Sequence, residues 1–135
     1  ALQSWVYAGG RLLYIGYNNH TQCHIADSIP SQFGFTCLNN NGFWSGDTST
    51  FVAHPITNGL SDVGGQGGEN WVVNAPAQLL ISISGNEFVS AVEYGAGKVV
   101  LVANERPFLN SGSGYNIAYG DNDQLVQNIW DWLLE

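Results

Sequence analysis

The sequence predicts an α/β domain, and three features carry that expectation. Residues 2–16 run from a short amphipathic segment through Gly9-Gly10 into a continuous apolar stretch, the order of a helix leading into a buried strand. Two further apolar stretches, 79–83 and 99–103, have the patterning of strands. The last fifteen residues place apolar side chains at helical spacing.

The elements follow in order. Leu2, Trp5 and Val6 fall at i, i+3 and i+4, so the opening helix stops at Gly9-Gly10, and Arg11–Gly16 is a strand covered on both faces. Ile25–Phe33 reads as a short helix interrupted by Pro30, and Asn39–Gly42 as a turn. Phe43 and Trp44 are expected to anchor the long excursion from 17 to 50 against the core. His54–Gly59 is a turn, and the glycines at 64, 65, 67 and 68 read as a flexible loop. That loop lacks the Lys-Ser/Thr of a phosphate cradle and runs into a strand, Trp71–Val73, where a nucleotide fingerprint needs a helix. Leu79–Ser84 alternates as a strand with one wetter face. Val89–Tyr94 and Lys98–Ala103 then form a hairpin about Gly95-Ala96-Gly97. A glycine- and serine-rich loop, 104–120, leads to the final helix. Asp121 caps that helix with Gln124 as reciprocal partner, and Val126, Ile129, Trp130 and Leu133 form its inner face, widened by Leu125 and Trp132.

At 135 residues the chain fits one domain, 1–135. Its 44% apolar content excludes disorder. Arg11, Lys98 and Arg106 face eleven carboxylates, giving a net charge of −8. That balance excludes nucleic acid and anionic membrane surfaces as partners, because phosphate binding needs clustered cations. No apolar run approaches the roughly 18–20 residues of a spanning helix, so no membrane insertion is expected. A surface of Asn, Ser, Gly and Thr with little charge fits an extracellular or cell-surface protein. The first residue is Ala1 and no Met occurs, which fits a processed N-terminus or a partial sequence. In that compartment Cys23 and Cys37 read as a disulfide worth about 3 kcal/mol. Free thiols, or a metal held by His20, Cys23, His24 and Cys37, are the alternatives; the adjacency of Cys23 and His24 makes tetrahedral closure awkward. Asn19-His20-Thr21 is also a glycosylation sequon.

Taken together, Leu2–Gly16, His54–Thr57, Val89–Val102 and Asp121–Trp132 resemble the latter half of the glutamine-amidotransferase-like superfamily, in its non-catalytic, flavodoxin-like branches. The resemblance implies a mostly parallel flavodoxin-like sheet flanked by helices, with an antiparallel meander near the C-terminus. Its opening strands would precede Ala1, which implies a sheet incomplete without a partner, either a homo-oligomer or a complementary chain. The catalytic branches carry a cysteine at the turn after the strand matching Arg11–Gly16; here that turn reads Gly16-Tyr17-Asn18. No Gly-x-Ser-x-Gly elbow supplies a serine instead.

Ligand-binding candidates lie where open α/β sheets place them, at strand ends. Asn18, Asn19 and His20 follow one strand, Asn104 and Glu105 another, and Asp121 with Asn122 approaches the same rim. The competing reading has these residues satisfying loop backbone and helix caps, with Arg106 pairing Glu105. Trp5, Trp130 and Trp132 read as core, while Trp44 and Trp71 could stack on sugars. The leading expectation is a non-enzymatic extracellular assembly module that self-associates. A glycan-binding module follows, then a hydrolase using Glu105 and a histidine. No cofactor or metal is expected.

Overall fold

The computed structural model describes residues 1–16, 29–38, 42–67, 70–112 and 114–135. The two α-helices among them are α1 (Leu2–Tyr7) and α2 (Asn122–Leu134). The strands are β1 (Arg11–Ile15), β2 (Phe35–Leu38), β3 (Trp44–Thr48) and β4 (Val63–Gly67). They continue with β5 (Asn70–Val73), β6 (Gln78–Ile83), β7 (Asn86–Tyr94) and β8 (Gly97–Val102). Short 3-10 turns occupy Pro30–Phe33, Pro55–Thr57 and Arg106–Phe108.

Four strands make the main sheet in the order β1-β8-β7-β6, and two antiparallel pairs, β2–β5 and β3–β4, stand apart from it. Lys98 on β8 reaches the Trp132 carbonyl of α2, so β8 alternation puts Val100 and Val102 on the helix side and Val99 and Leu101 on the other. On that second face the small pairs pack through Tyr14 against Trp71 and Trp44 against Phe88, both edge-on with centroids 5.9 and 6.0 Å apart. The α2 side buries Leu125, Ile129 and Leu133, while Val6 of α1 is buried on the second face, where its carbonyl lies over Gly97. Each such large apolar side chain contributes about 1.5–3 kcal/mol.

This architecture corrects the expected fold. The protein is mainly β, and among the described residues only β1 with β8 runs parallel; the β6–β7 and β7–β8 pairs are antiparallel. A mostly parallel flavodoxin-like sheet does not form, and the amidotransferase-like resemblance falls with it. The helix–Gly-Gly–strand step is real, since α1 leads directly into β1. It is the one parallel step among the described residues, not the first of a series. Unbroken apolar runs such as 99–102 are buried on both faces because α2 covers one side and α1 with the small β ladders the other. Burial on two faces therefore arose here without a mostly parallel sheet.

Other elements depart in detail. Residues 63–67 form β4 instead of a loop, with Gly64 opposite Asp47 and Gly65 opposite Gly46. The glycines are there for close approach: a Cβ at Gly64 would strike the Tyr115 ring, and one at Gly65 the Phe88 ring. Trp5 and Trp130, expected in the core, are 52% and 45% exposed. Trp132 is buried as expected, and Phe43 is exposed beside a buried Trp44.

Candidate functional site

A concavity lies at the end of the sheet where β7 turns into β8. Glu93 and Lys98 are opposed across that hairpin. The C-terminal turns of α2 bring Trp132 over them, and the 3-10 turn Pro55–Thr57 brings His54 alongside. Asn128 fastens the turn to α2, its Nδ2 donating to the carbonyls of Ile56 (3.0 Å) and Asn58 (2.9 Å).

His54 is held by its own backbone. Its Nδ1 accepts from the Ile56 N–H at 3.2 Å, and its N–H donates to Thr57 Oγ1 at 3.1 Å, a reciprocal cap. Accepting at Nδ1 leaves Nε2 as the protonated nitrogen of the neutral ring. The ring meets Trp132 edge-on at 5.1 Å. Burial pulls the imidazole pKa below 6.5; Glu93 opposes the shift and Lys98 adds to it. Lys98 is itself occupied. Its Nζ donates to the Trp132 carbonyl at 2.7 Å, sits 4.8 Å from the Trp132 ring centroid and lies 4.0 Å from Glu135.

Between these groups is a cavity of about 430 Å³, with Ala91, Pro55, Pro76 and Trp132 as apolar walls and Gln78, Glu93 and His54 as polar ones. It continues past His54 and Trp132 into a second hollow of about 590 Å³, bounded by Asn58, Asp131 and Glu135. The volumes suit a small molecule. Three carboxylates border the groove, while its nearest cation is turned onto the Trp132 carbonyl. Chemically, the groove offers an apolar bed, a neutral Nε2–H donor and negative charge.

The strand-end candidates lie elsewhere. From Lys98 to Asn104 the chain advances six residues, about 20 Å along an extended strand, so Asn104 and Glu105 sit at the opposite end of β8 from His54. Asn104 is fully buried, its Oδ1 accepting from the Arg106 N–H at 2.8 Å, and its Nδ2 has no partner among the described residues. Glu105 Oε2 is likewise buried without one. Asp121 makes no side-chain cap to α2, against expectation. Its Oδ2 accepts from the N–H groups of Ser61 (2.5 Å) and Asp62 (3.0 Å), which hold its pKa below the usual carboxylate value. Asn122 is buried, hydrogen-bonded to Gly64 at both backbone groups. Asp121 and Asn122 are thus committed to joining α2 to β4 and its approach.

Asn18, Asn19, His20, Cys23 and His24 lie outside the described residues. Cys37 is on β2 and is not a free thiol; its expected pairing with Cys23 involves a residue outside those described. Trp44 and Trp71, offered as sugar platforms, are 5% and 1% exposed and form core contacts instead. A hydrolase pairing Glu105 with His54 is not assembled, since the two stand at opposite ends of β8. The sequence reading missed the groove because it took His54 for a turn residue and Glu93 for one position of an alternating strand. The cap uses a histidine and a threonine where the usual pattern has Ser, Thr, Asp or Asn with Glu or Gln, so only Pro55 at the first helical position hinted at the turn.

No protein-family model and no curated protein sequence matches the chain. Two solved structures share its fold. Cytoplasmic protein STM1381 of Salmonella typhimurium LT2 superposes with a TM-score of 0.72 at 16% identity, covering 98% of this chain and 58% of its own. Cytoplasmic protein STM3548 of Salmonella typhimurium gives 0.70 at 15% identity, with the same coverages. The chain thus spans somewhat more than half the length of either. At these identities the likeness shows the fold. Both are described as cytoplasmic proteins, which runs against the secreted or cell-surface location expected from composition. The extracellular self-assembling module falls with that location.

Proposed function

We propose that the chain is a small-ligand binding module whose His54–Trp132 groove takes a compact amine carrying an apolar body and one neutral oxygen. The observation that carries this reading is the cavity of about 430 Å³ with apolar walls, Glu93 at its edge and a half-buried His54 whose Nε2–H is available to donate. Glu93 matches the ammonium, Ala91, Pro76 and Trp132 match the hydrocarbon, and His54 matches a carbonyl or hydroxyl. The net charge of −8 draws a cation toward such a cleft. Asp131 and Glu135, bordering the adjoining hollow, extend the preference for positive charge.

Leucinamide has these three parts, and N-acetylleucine carries the same hydrocarbon with the opposite charge. Calorimetric titration should give leucinamide a dissociation constant of about 1 mM, as expected for a ligand of that size, and no measurable binding of N-acetylleucine. Glu93→Gln should weaken leucinamide about tenfold with an unchanged melting temperature. Equal binding of the two compounds, or indifference to Glu93→Gln, would refute the assignment.

A further inference from the structure

We infer that the outer edge of β1 is a docking edge for an extended, apolar polypeptide segment of a partner protein. The two edges of the main sheet are treated differently. Beyond β6, Phe51 bridges Ile81 and the Val52 N–H donates to the Leu80 carbonyl at 3.0 Å, so that side is closed. Beyond β1 no strand pairs among the described residues.

Parity shows which groups β1 presents there. The Gly10 carbonyl accepts from Lys98 N–H at 3.2 Å, and the Gly16 N–H donates to Val102 at 2.8 Å. Even-numbered residues of this stretch therefore face β8, and the backbone N–H and C=O of Leu13 and Ile15 face outward. Side chains repeat the message. Leu12, Leu13 and Tyr14 are only partly buried, and Ile15 is 38% exposed. Trp5, 52% exposed, lies against Gly10 where the strand begins.

Sheets usually protect such an edge with charge, a bulge or proline. β1 has none of these among Leu12–Ile15, and Arg11 turns its guanidinium inward to the carbonyls of Gly9 (2.7 Å) and Ala96 (2.9 Å). A row of alternate N–H and C=O groups flanked by apolar side chains is matched by another extended backbone, not by a compact solute. At −8 a second copy would bring like charge to the contact, so an uncharged or basic segment of another chain fits better. In both similar solved structures the shared fold accounts for 58% of the chain, so this fold does occur beside additional polypeptide.

Amide exchange of the whole protein, alone and with a peptide selected on it from a displayed random dodecapeptide library, tests the inference. In the free monomer Leu12 and Tyr14 amides should exchange about a hundredfold more slowly than those of Leu13 and Ile15. The selected peptide should be rich in β-branched and aromatic residues and should slow Leu13 and Ile15 at least tenfold. Ile15→Lys should weaken that peptide at least tenfold without lowering the melting temperature. Slow Leu13 and Ile15 amides in the free monomer would mean the chain covers its own edge. Protection rising with concentration, together with a sedimenting dimer, would assign the edge to a second copy. Selected peptides that leave both amides unprotected would leave no strand-docking role. Any of these three results overturns the inference.

Discussion

His54 joins a structural duty to a binding one. The same Nδ1 that accepts from Ile56 fixes which nitrogen can face a ligand, and burial lowers the pKa of the ring. The sign of the stability effect follows. Unfolded chains take up the proton near 6.5, whereas the folded ring resists it, so the fold loses stability as pH drops below 6.5 toward the folded value. Above 6.5 neither state binds the proton, and this contribution is constant. NMR titration of the ring should give a midpoint below 6.5, and His54→Asn, which can still cap the turn, should flatten the fall in melting temperature between pH 7 and 5. Asn122 is the other residue with a large expected effect. Its Oδ1 accepts from Gly64 (3.1 Å), and its Nδ2 serves the carbonyls of Gly64 (3.0 Å), Asn116 (2.9 Å) and Tyr115 (3.2 Å). Asn122→Leu should cost about 3 kcal/mol in denaturant unfolding, because buried backbone groups lose their partners. Its expected place with Asp121 at the strand-end rim marked Asn122 as a candidate ligand residue; only the three-dimensional approach of β4 reveals it as a joint.

Among the elements, α2 and the β7–β8 hairpin were legible because their signals are local. Apolar spacing marks the helix, and Gly95-Ala96 marks the reversal. The expected cap at Asp121 failed for a non-local reason: the backbone of Ser61 and Asp62, some sixty residues away, competes for its carboxylate. Strand β4 was illegible for the same kind of reason. Glycine-rich sequence reads as loop unless the aromatic rings above it are known, and Tyr115, Tyr119 and Phe88 come from distant segments. The packing of α1 on β8 is equally close. A Cβ at Gly97 would run into the Val6 and Gly10 carbonyls. Gly97→Ala should therefore destabilise by about 3 kcal/mol, since backbone oxygens cannot swing aside as a side chain would. A thermal shift no larger than for a surface Gly→Ala change would contradict that packing.

At the scale of the whole molecule, the positions of β1 and β5 to β8 were readable, those of β2 to β4 were not, and outside the β7–β8 hairpin the strand directions were not. Residues 11–15, 70–73, 78–83, 86–94 and 97–102 all carry apolar patterning, yet patterning reports burial, and burial on two faces is produced here by an unlike pair of covers. The ligand groove was missed because it assembles residues 54, 78, 93 and 132, none of which stands out in its own segment. It occupies the hairpin end of the sheet, away from Asn104 and Glu105, where the analogy with open parallel sheets had pointed. A proton–nitrogen correlation titration of the labelled protein with leucinamide tests the groove most directly. The account expects the amides of Gln78 and Glu93, the Trp132 indole and the His54 ring to shift together and saturate with a single dissociation constant. Small unsaturable shifts spread over the eleven carboxylates would show only general attraction of a cation to an acidic protein, and would contradict a built site.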